Sequence, residues 1–324
     1  MKTALILGVS GQDGAYLAEF LLEKGYNVYG TSRDAELARF GNLRALGIRD
    51  RVTCHSASPT DFRSIFQVIR QVEPDEIYNL AGQTSVGLSF AQPVETMESI
   101  SLGTLNVLEA VRMLDKPIRL YNAGSGECFG NTAGNPATEL TAFTPRSPYA
   151  VAKAAAVWTV SNYREAYHLF ACSGILFNHE SPLRPDRFVT RKIVKGAAEI
   201  ALGRRERLQV GNLGVRRDWG WAPEYVDAMW RMLQADTAED FVIATGKDHA
   251  LEDFARLAFE AFDLDWRDYV DVSPTLFRPT DIEVGVGDAG KAERLLGWRA
   301  ELDLAEIVRR MAEAERDKLL AEES

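Results

Sequence analysis

The sequence is poor in the residues that build disulfide frameworks and metal centres. Its 324 residues include three cysteines and four histidines, and neither set has the close spacing that paired thiols or metal ligands need. Because Cys54, Cys128 and Cys172 are few and far apart, they are typical of a reducing cytoplasm. We therefore predict a cytoplasmic protein without disulfides and without a metal site.

Long hydrophobic runs and an excess of basic charge are missing as well. The first apolar run, residues 4–8, is too short for a secretion signal or a membrane span. Lysine and arginine number 37 against 47 aspartates and glutamates, which gives a net charge of −10. This balance excludes a broad nucleic-acid surface and predicts no membrane partner, although a local basic pocket for a phosphorylated small molecule stays compatible with it.

The apolar runs that are present alternate with amphipathic segments. Such alternation predicts parallel strands joined by helical crossovers, and strands that are apolar throughout indicate a sheet covered on both faces. We predict an α/β fold with a Rossmann-type, doubly wound parallel sheet. The predicted strands lie at residues 4–7, 27–31, 52–55, 76–80, 118–123 and 171–177, and the predicted helices at 16–24, 61–71, 93–113 and 147–168.

The regular alternation ends after residue 177. Residues 179–187 contain two prolines and four charged side chains and are predicted to form a loop, followed by a helix at 189–202. Further short strands (208–211, 241–244) and helices (224–234, 251–262, 304–320) predict a smaller mixed α/β lobe. We therefore divide the chain into a nucleotide-binding domain, residues 1–177, and a C-terminal substrate lobe, residues 178–324, part of which returns to the first domain.

A glycine-rich turn follows the first predicted strand. It reads Gly8-Val9-Ser10-Gly11-Gln12-Asp13-Gly14 and leads into a helix. In this context the three glycines allow a tight turn, the approach of a pyrophosphate to the backbone, and close packing of the helix on the sheet. The free N–H groups at the helix start favour the negative phosphates. The turn therefore predicts a dinucleotide site.

The end of the second predicted strand bears on the choice between NAD and NADP. An acidic residue there would pair with the ribose 2′-hydroxyl, whereas this chain has Ser32 and Arg33 before Asp34. A hydroxyl and a guanidinium suit a 2′-phosphate, so we favour NADP. NAD is not excluded, because Asp34 could turn inward while Arg33 points to solvent.

A tyrosine and a lysine stand four residues apart in the predicted helix at 147–168. This spacing places Tyr149 and Lys153 on one helix face, after a strand that ends in Asn122-Ala123-Gly124-Ser125-Gly126-Glu127. A phenol titrates near ~10, and a neighbouring ammonium together with an oxidised nicotinamide would lower that value. The set predicts a tyrosine base at the carboxyl edge of the sheet, where ligands bind in open α/β folds.

With these motifs the chain resembles the extended short-chain dehydrogenase/reductases that modify nucleotide sugars, and within them the GDP-mannose 4,6-dehydratase family. The likeness extends over nearly the whole chain. It is carried by Gly11-Gln12-Asp13-Gly14-Ala15-Tyr16-Leu17, Tyr78-Asn79-Leu80-Ala81-Gly82-Gln83, Pro145-Arg146-Ser147-Pro148-Tyr149, Gly174-Ile175-Leu176-Phe177-Asn178-His179-Glu180-Ser181-Pro182, Phe188-Val189-Thr190-Arg191-Lys192, Arg217-Asp218-Trp219-Gly220 and Phe277-Arg278-Pro279.

The resemblance implies a role for each residue of the predicted site. Tyr149 would take the proton of the sugar C4 hydroxyl, Ser125 would bind the C4 oxygen, Lys153 would hold the nicotinamide ribose, and Glu127 would move protons at C5 and C6. The cofactor oxidises C4 and returns its hydride to C6, so no net redox occurs. The implied cofactor-binding residues are Gly8, Gly11, Gln12, Asp13, Gly14, Ser32, Arg33, Leu80, Ala81, Tyr149 and Lys153, and the implied GDP-sugar-binding residues are Asn178, Val189, Lys192, Arg217 and Arg278.

Some positions differ from the usual family pattern, and they leave alternatives open. Gly124 and Gly126 replace hydroxyl residues and predict flexible flanks for Ser125, and Trp221 is bulkier than usual. Asp34 replaces an arginine of a loop that helps build a tetramer in the family, so a homodimer and a homotetramer are both compatible. The alternatives are a 4,6-dehydratase of another GDP-sugar such as GDP-manno-heptose, an NAD(P)-dependent 4-ketoreductase or epimerase, and a silent nucleotide sensor.

Overall fold

The computed structural model describes residues 1–322. Within them the strands are β1 Thr3–Leu7, β2 Asn27–Ser32, β3 Thr53–Ser56, β4 Glu76–Asn79, β5 Arg119–Ala123, β6 Ala171–Leu176, β7 Asn178–Glu180, β8 Leu208–Val210, β9 Arg216–Trp221, β10 Phe241–Ile243, β11 Asp248–Ala250, β12 Val270–Val272 and β13 Val284–Gly285. The helices are α1 Gln12–Glu23, α2 Gly41–Ala45, α3 Phe62–Val72, α4 Val86–Ala91, α5 Pro93–Met97, α6 Gly103–Leu114, α7 Pro148–Tyr167, α8 Val189–Ala201, α9 Ala222–Gln234, α10 Leu251–Glu260, α11 Gly290–Leu296 and α12 Leu304–Ala321.

Seven parallel strands form the main sheet, in the order β10-β6-β5-β4-β1-β2-β3. The chain reverses direction across the sheet between β1 and β4, as doubly wound folds do. Side chains such as Leu5 and Ile6 are fully buried because helices cover both faces of the sheet, α1 and α9 on one and α3, α6 and α7 on the other. The predicted α/β fold is confirmed.

The second half of the chain contributes to both parts of the molecule. Helix α9 and strand β10 complete the main sheet and its cover, whereas α8, α10 and α12 enclose a separate apolar core. A small sheet of β11, β9 and β13, with β7 paired to β9, joins the two parts. This arrangement places β7 and β9 beside the carboxyl end of β6; the division at residue 177 stays a prediction.

The structure also differs from the predicted elements. Helix α1 begins at Gln12, directly after the glycine turn, and not at residue 16. The predicted loop at 179–187 begins with the second residue of β7, whose polar side chains hid the strand. The segment Glu98–Leu102 is a π-helical stretch that joins α5 to α6 in one continuous helical path.

Candidate active site

A cleft of about 360 Å³ lies at the carboxyl end of β5 and β6, between the main sheet and the smaller lobe. It brings together chemically active side chains from distant parts of the sequence. The predicted site residues that line it are Asp13, Leu80, Ser125, Glu127, Tyr149, Lys153, Asn178, Val189, Arg217 and Arg278. The predicted residues outside its lining are Gly8, Gly11, Gln12, Gly14, Ser32, Arg33, Ala81 and Lys192.

The glycine turn adjoins this cleft and has the shape that a dinucleotide needs. Gly8 has a φ of +89°, and a Cβ there would lie 3.1 Å from the backbone nitrogen of Ala81. A Cβ on Gly14 would lie 2.5 Å from the carbonyl oxygen of Gly8. Helix α1 begins after Gly11 without a side-chain cap, so its first N–H groups are available to an anion. The local backbone therefore fits a bound pyrophosphate.

Ser125 and Glu127 follow β5 in one short helical turn. The backbone N–H of Glu127 donates to the Ser125 hydroxyl oxygen over 3.3 Å, and both side chains face the cleft. A Cβ on Gly124 would lie 2.9 Å from the Gly174 carbonyl oxygen, and one on Gly126 would lie 2.9 Å from the Phe177 ring. The expected flexible flanks are wrong, because both glycines are packed where no side chain has room.

Tyr149 and Lys153 lie on the buried face of α7. The helix begins at Pro148, and the Ser147 hydroxyl accepts from the N–H of Ala150 over 3.1 Å, an N-cap that fixes where Tyr149 stands. Burial raises the pKa of the Tyr149 phenol, and a hydrogen bond with Ser125 acts in the opposite direction. Burial also lowers the pKa of the Lys153 ammonium to about 8.

The Lys153 ammonium is hydrogen-bonded to the last residue of β5, the strand that precedes Ser125. Its Nζ donates to the Ala123 carbonyl oxygen over 2.7 Å and lies 5.9 Å from the centre of the Tyr149 ring. The predicted pair thus lies on one face of the helix, and the lysine ammonium is nearer to the end of β5 than to the phenol ring. Burial is the main reason that the phenol of Tyr149 is a weaker acid here than in water, and a further positive charge near it would act in the opposite direction.

Two arginines approach the cleft from the smaller lobe and share one carboxylate. Arg217 is buried, and its guanidinium donates to the Ile282 carbonyl oxygen over 2.7 Å and to Oδ1 of Asp281 over 2.9 Å. Arg278 donates to the same Oδ1 over 3.3 Å and is more exposed. Its looser contact makes Arg278 the arginine that is freer to meet a ligand phosphate.

Strand β7 connects the cleft to the glycine turn. Asn178 lines the cleft, and the next residue, His179, contacts the Asp13 carboxylate, with 2.9 Å between Nε2 and Oδ2. Burial raises the pKa of Asp13, but the charge and hydrogen bond of His179 outweigh it and bring that pKa to about 2. The role of His179 was not predicted, although it stands within the Asn178–Pro182 block that the sequence singled out.

Two of the residues implied to bind the GDP-sugar, Val189 and Lys192, lie on the first turns of α8. Val189 opens that helix and lines the cleft, whereas Lys192 is half-buried beside it, where burial and the charge of Arg205 lower its pKa. Trp221 lies outside the cleft lining and packs in the core of the smaller lobe. Its bulk therefore has no direct bearing on which sugar fits.

The end of β2 lies away from the cleft. The Arg33 side chain is 82% exposed and 3.8 Å from Glu95, so its guanidinium is free to move. Asp34 turns toward its own loop, where Oδ1 accepts from the N–H groups of Glu36 and Leu37 over 3.0 and 2.9 Å. Asp34 thus fixes the loop backbone and leaves the space beside Ser32 to Arg33.

Several cleft residues had no predicted role. Most of them stand in segments without a recognised motif, whereas Phe188 and Phe277 stand in blocks that carried the family resemblance but gave these two residues no role. Arginines and aromatic side chains follow β7 in a stretch with two prolines, which predicts only a loop. The missed lining residues with groups that can meet a nucleotide are Arg184, Arg187, Phe188, Asn212, Phe277 and Asp281.

Residues 1–322 contain neither a helix that could span a membrane nor a cluster of metal-ligating side chains. In this part of the chain no helix is long and apolar enough to cross a bilayer. No three His, Cys, Asp or Glu side chains of the same residues are grouped so that they could hold a metal ion.

Known proteins with similar sequences show the family of this chain, and solved structures show its fold. A sequence model described as GDP-mannose 4,6 dehydratase matches residues 5–311. GDP-mannose 4,6 dehydratase 2 of Arabidopsis thaliana is 44% identical over 99% of this chain and 90% of its own length. The UDP-glucose 4-epimerase of Thermus thermophilus, solved with NAD, shares the fold with a TM-score of 0.85 at 24% identity, over 97% of this chain and 99% of its own.

A further solved structure, RMD from Pseudomonas aeruginosa with NADPH, has a TM-score of 0.79 at 21% identity and covers 98% of both chains. At such low identities these two structures show only that the fold is shared. The assignment rests on the family match and on the similarity to the Arabidopsis protein over nearly the whole chain. This chain belongs to the GDP-mannose 4,6-dehydratase family.

Proposed function

We propose that the protein is a hydro-lyase that converts GDP-D-mannose to GDP-4-keto-6-deoxy-D-mannose and water. The observation that carries this proposal is the position of Glu127, which faces the same cleft as Ser125, Tyr149 and Lys153. A 4-epimerase or 4-ketoreductase needs only the serine, the tyrosine, the lysine and a nicotinamide. An elimination across C5 and C6 needs a further acid and base, which Glu127 supplies.

A bound nicotinamide dinucleotide would supply the oxidant for C4 and return the same hydride to C6. Tyr149 takes the proton of the C4 hydroxyl, and the Ser125 hydroxyl donates to the C4 oxygen as it becomes a carbonyl. The cationic Lys153 holds the ribose and, together with the positive nicotinamide ring, stabilises the tyrosinate. Burial, with smaller contributions from Cys128 and Glu127, raises the pKa of Tyr149, so in this proposal its activation depends on these two charges.

Glu127 then acts on the acidified C5 position. Its carboxylate removes the C5 proton, and the resulting acid gives a proton to the C6 hydroxyl, which leaves as water. With the hydride that the cofactor would return to C6, the proton that Tyr149 took from the C4 hydroxyl balances the proton that C5 regains, so Tyr149 and Glu127 both end in their starting protonation states. The hydrogen lost by C4 is gained by C6, so the cofactor is unchanged after each turnover.

The GDP part would extend toward the smaller lobe. In this proposal Asn178, Arg217 and Arg278, which line the cleft, bind the sugar and pyrophosphate. Val189 and Lys192, on the first turns of α8, would lie near the guanine. Arginine forks match phosphate oxygens, and Arg184 and Arg187 also line the cleft.

We propose NADP as the cofactor. The exposed guanidinium of Arg33 can reach a 2′-phosphate, while Asp34 is engaged with backbone N–H groups of its own loop and repels it less. We also propose a cytoplasmic homo-oligomer, a dimer or a tetramer. Cys54, Cys128 and Cys172 are unpaired, and apolar side chains lie exposed on α7.

The experiment that tests the proposal is incubation with GDP-mannose and a catalytic amount of NADP, followed by mass spectrometry and absorbance of reduced nicotinamide. We expect product lacking one water without accumulation of NADPH. Accumulation of NADPH in proportion to product, or epimerisation without loss of water, would contradict it. A parallel incubation with GDP-manno-heptose measures how strictly the cleft selects the sugar.

A further inference from the structure

The Asp13–His179 pair lies between the two halves of the cleft and takes no part in the steps described above. Asp13 stands in the first turn of α1, immediately after the glycine turn, and His179 stands in β7 next to Asn178. Their side chains meet over 2.9 Å between Oδ2 and Nε2. The pair therefore joins the element that would hold a dinucleotide to the element that would hold the GDP-sugar.

Both nitrogens and one face of the His179 ring are in contact with other protein groups. Its Nδ1 donates to the Phe177 carbonyl oxygen over 2.7 Å, its Nε2 faces Asp13, and its face stacks on Tyr225 with 4.5 Å between ring centres. Since both ring nitrogens are engaged with protein acceptors, the ring has no free donor or acceptor for chemistry on a substrate. The contacts suit a positioning residue rather than a catalytic one.

Gln12 adds a second connection between the same two elements. Its side-chain amide donates to the His179 carbonyl oxygen over 3.2 Å and to Oδ1 of Asp13 over 3.0 Å. The Ser181 hydroxyl donates to the amide oxygen of Gln12 over 2.8 Å. Gln12, His179 and Ser181 are all buried, so these hydrogen bonds are shielded from water and hold the first turn of α1 against β7.

The charge of Asp13 favours the protonated form of His179. Asp13 stays ionised because its pKa is about 2. Burial lowers the pKa of His179, but the charge and hydrogen bond of Asp13 outweigh it, and the net direction is upward; the nearby Arg184 opposes this rise. Removing one partner would leave the other as a buried, uncompensated charge, so the two act as one unit.

We propose that the Asp13–His179 pair couples the two binding sites, so that the nicotinamide dinucleotide and the GDP-sugar each bind more tightly when the other is present. The inference rests on the proposed function, which supplies the two ligands. A pyrophosphate on the N–H groups at the start of α1 orders the turn that carries Gln12 and Asp13. These residues hold β7, and with it Asn178, in its binding position. Less conformational entropy of the protein is therefore lost when the second ligand binds.

The test measures the dissociation constant of GDP by titration calorimetry with and without saturating NADP. For the wild-type protein we expect NADP to lower this constant by roughly tenfold. In Asp13→Asn, which keeps the shape and removes the charge, and in His179→Phe, which keeps the stack on Tyr225, we expect the ratio to approach one. Because the readout is a ratio within one protein, a general loss of affinity does not move it.

A matched control is the Arg164–Asp240 ion pair, with 2.7 Å between Nη2 and Oδ2. It is also largely buried but lies outside the cleft lining. Arg164→Gln should lower stability and leave the GDP ratio as in the wild type. If His179→Phe fails to fold, the isosteric Asp13→Asn decides the question.

The outcomes separate this inference from the function on which it rests. A wild-type protein that binds NADP and GDP with no mutual effect, or an Asp13→Asn variant with the full wild-type ratio, overturns the coupling and leaves the proposed function standing. A wild-type protein that binds neither ligand overturns both.

Discussion

Nε of Arg217 lies 3.9 Å from Oε1 of Glu127, close enough for attraction between the charges and too far for a hydrogen bond. The guanidinium is held instead by Ile282 and Asp281. Glu127 therefore lies near a fixed positive charge without a hydrogen bond to that guanidinium. Its carboxylate oxygens are not held by Arg217 and can turn to the sugar in the cleft.

Glu127→Gln should therefore remove the elimination and little else. We expect the rate of water loss to fall by about 10²–10⁴, since the amide cannot carry protons at C5 and C6. The contacts of Arg217 with Ile282 and Asp281 stay intact, so the free energy of unfolding should change by less than about 1 kcal/mol. Product formation by mass spectrometry and NADP binding by fluorescence check this; unchanged turnover would refute the role of Glu127.

Lys153 gives the folding stability a pH dependence of its own. Its pKa is about 8 in the folded protein and 10.5 in a solvated lysine. Between these values the unfolded chain binds more protons than the folded one, so this residue makes stability rise with pH in that window. A difference of this size corresponds to about 3 kcal/mol.

Lys153→Met should remove that rise. Urea unfolding at about pH 7 and about pH 10, compared between variant and wild type, isolates this residue from the other titrating groups. We expect the variant to gain about 2–3 kcal/mol less than the wild type over the interval. Equal changes in the two proteins would show that the ammonium is not desolvated.

Arg33 should decide the preference between the two dinucleotides. Arg33→Ala is expected to weaken NADP binding by roughly tenfold, since a partner of the 2′-phosphate is lost, and to leave NAD binding unchanged. Its ion pair with Glu95 is long and exposed, so the fold should not respond. Fluorescence titration with both dinucleotides gives the two constants; equal weakening of both would assign Arg33 another role.

Trp158 should lie in a contact between subunits. Its side chain is 61% exposed, and Val151, two turns earlier on the same face of α7, is 43% exposed. Trp158→Glu would place a charge in the apolar contact and is expected to shift the protein to monomers in light scattering. Leu140→Glu is the matched control, because Leu140 is 96% exposed but stands alone in a loop. If both variants keep the wild-type mass, α7 is not the contact.

The main sheet could be predicted from the sequence because each of its strands and turns is indicated by residues that are close together in the chain. Strands such as β1 and β6 are apolar throughout and stand between amphipathic helices, and a glycine turn in this position indicates a dinucleotide. The tyrosine and lysine of α7 were predicted from their four-residue spacing together with the glycine turn and the strand end that precede them. The resemblance to a family then assigned roles to them and to Glu127.

The smaller lobe was harder to predict because distant residues determine it. Strand β9 begins Arg216-Arg217-Asp218, a sequence typical of a solvated loop, yet Arg217 and Asp218 are buried. Asp218 is tolerated there because its oxygens accept from Thr245 and Gly246, partners that no local pattern reveals. In the same way, α1 extends back to Gln12 because His179 and Ser181 bind that side chain.

The central claim, that one hydride leaves C4 and returns to C6 of the same sugar, is tested most directly with GDP-mannose deuterated at C4. After turnover with unlabelled NADP, nuclear magnetic resonance should find the deuterium at C6 of the product. Deuterium in the nicotinamide pool, or its absence from C6 of a dehydrated product, would contradict the account.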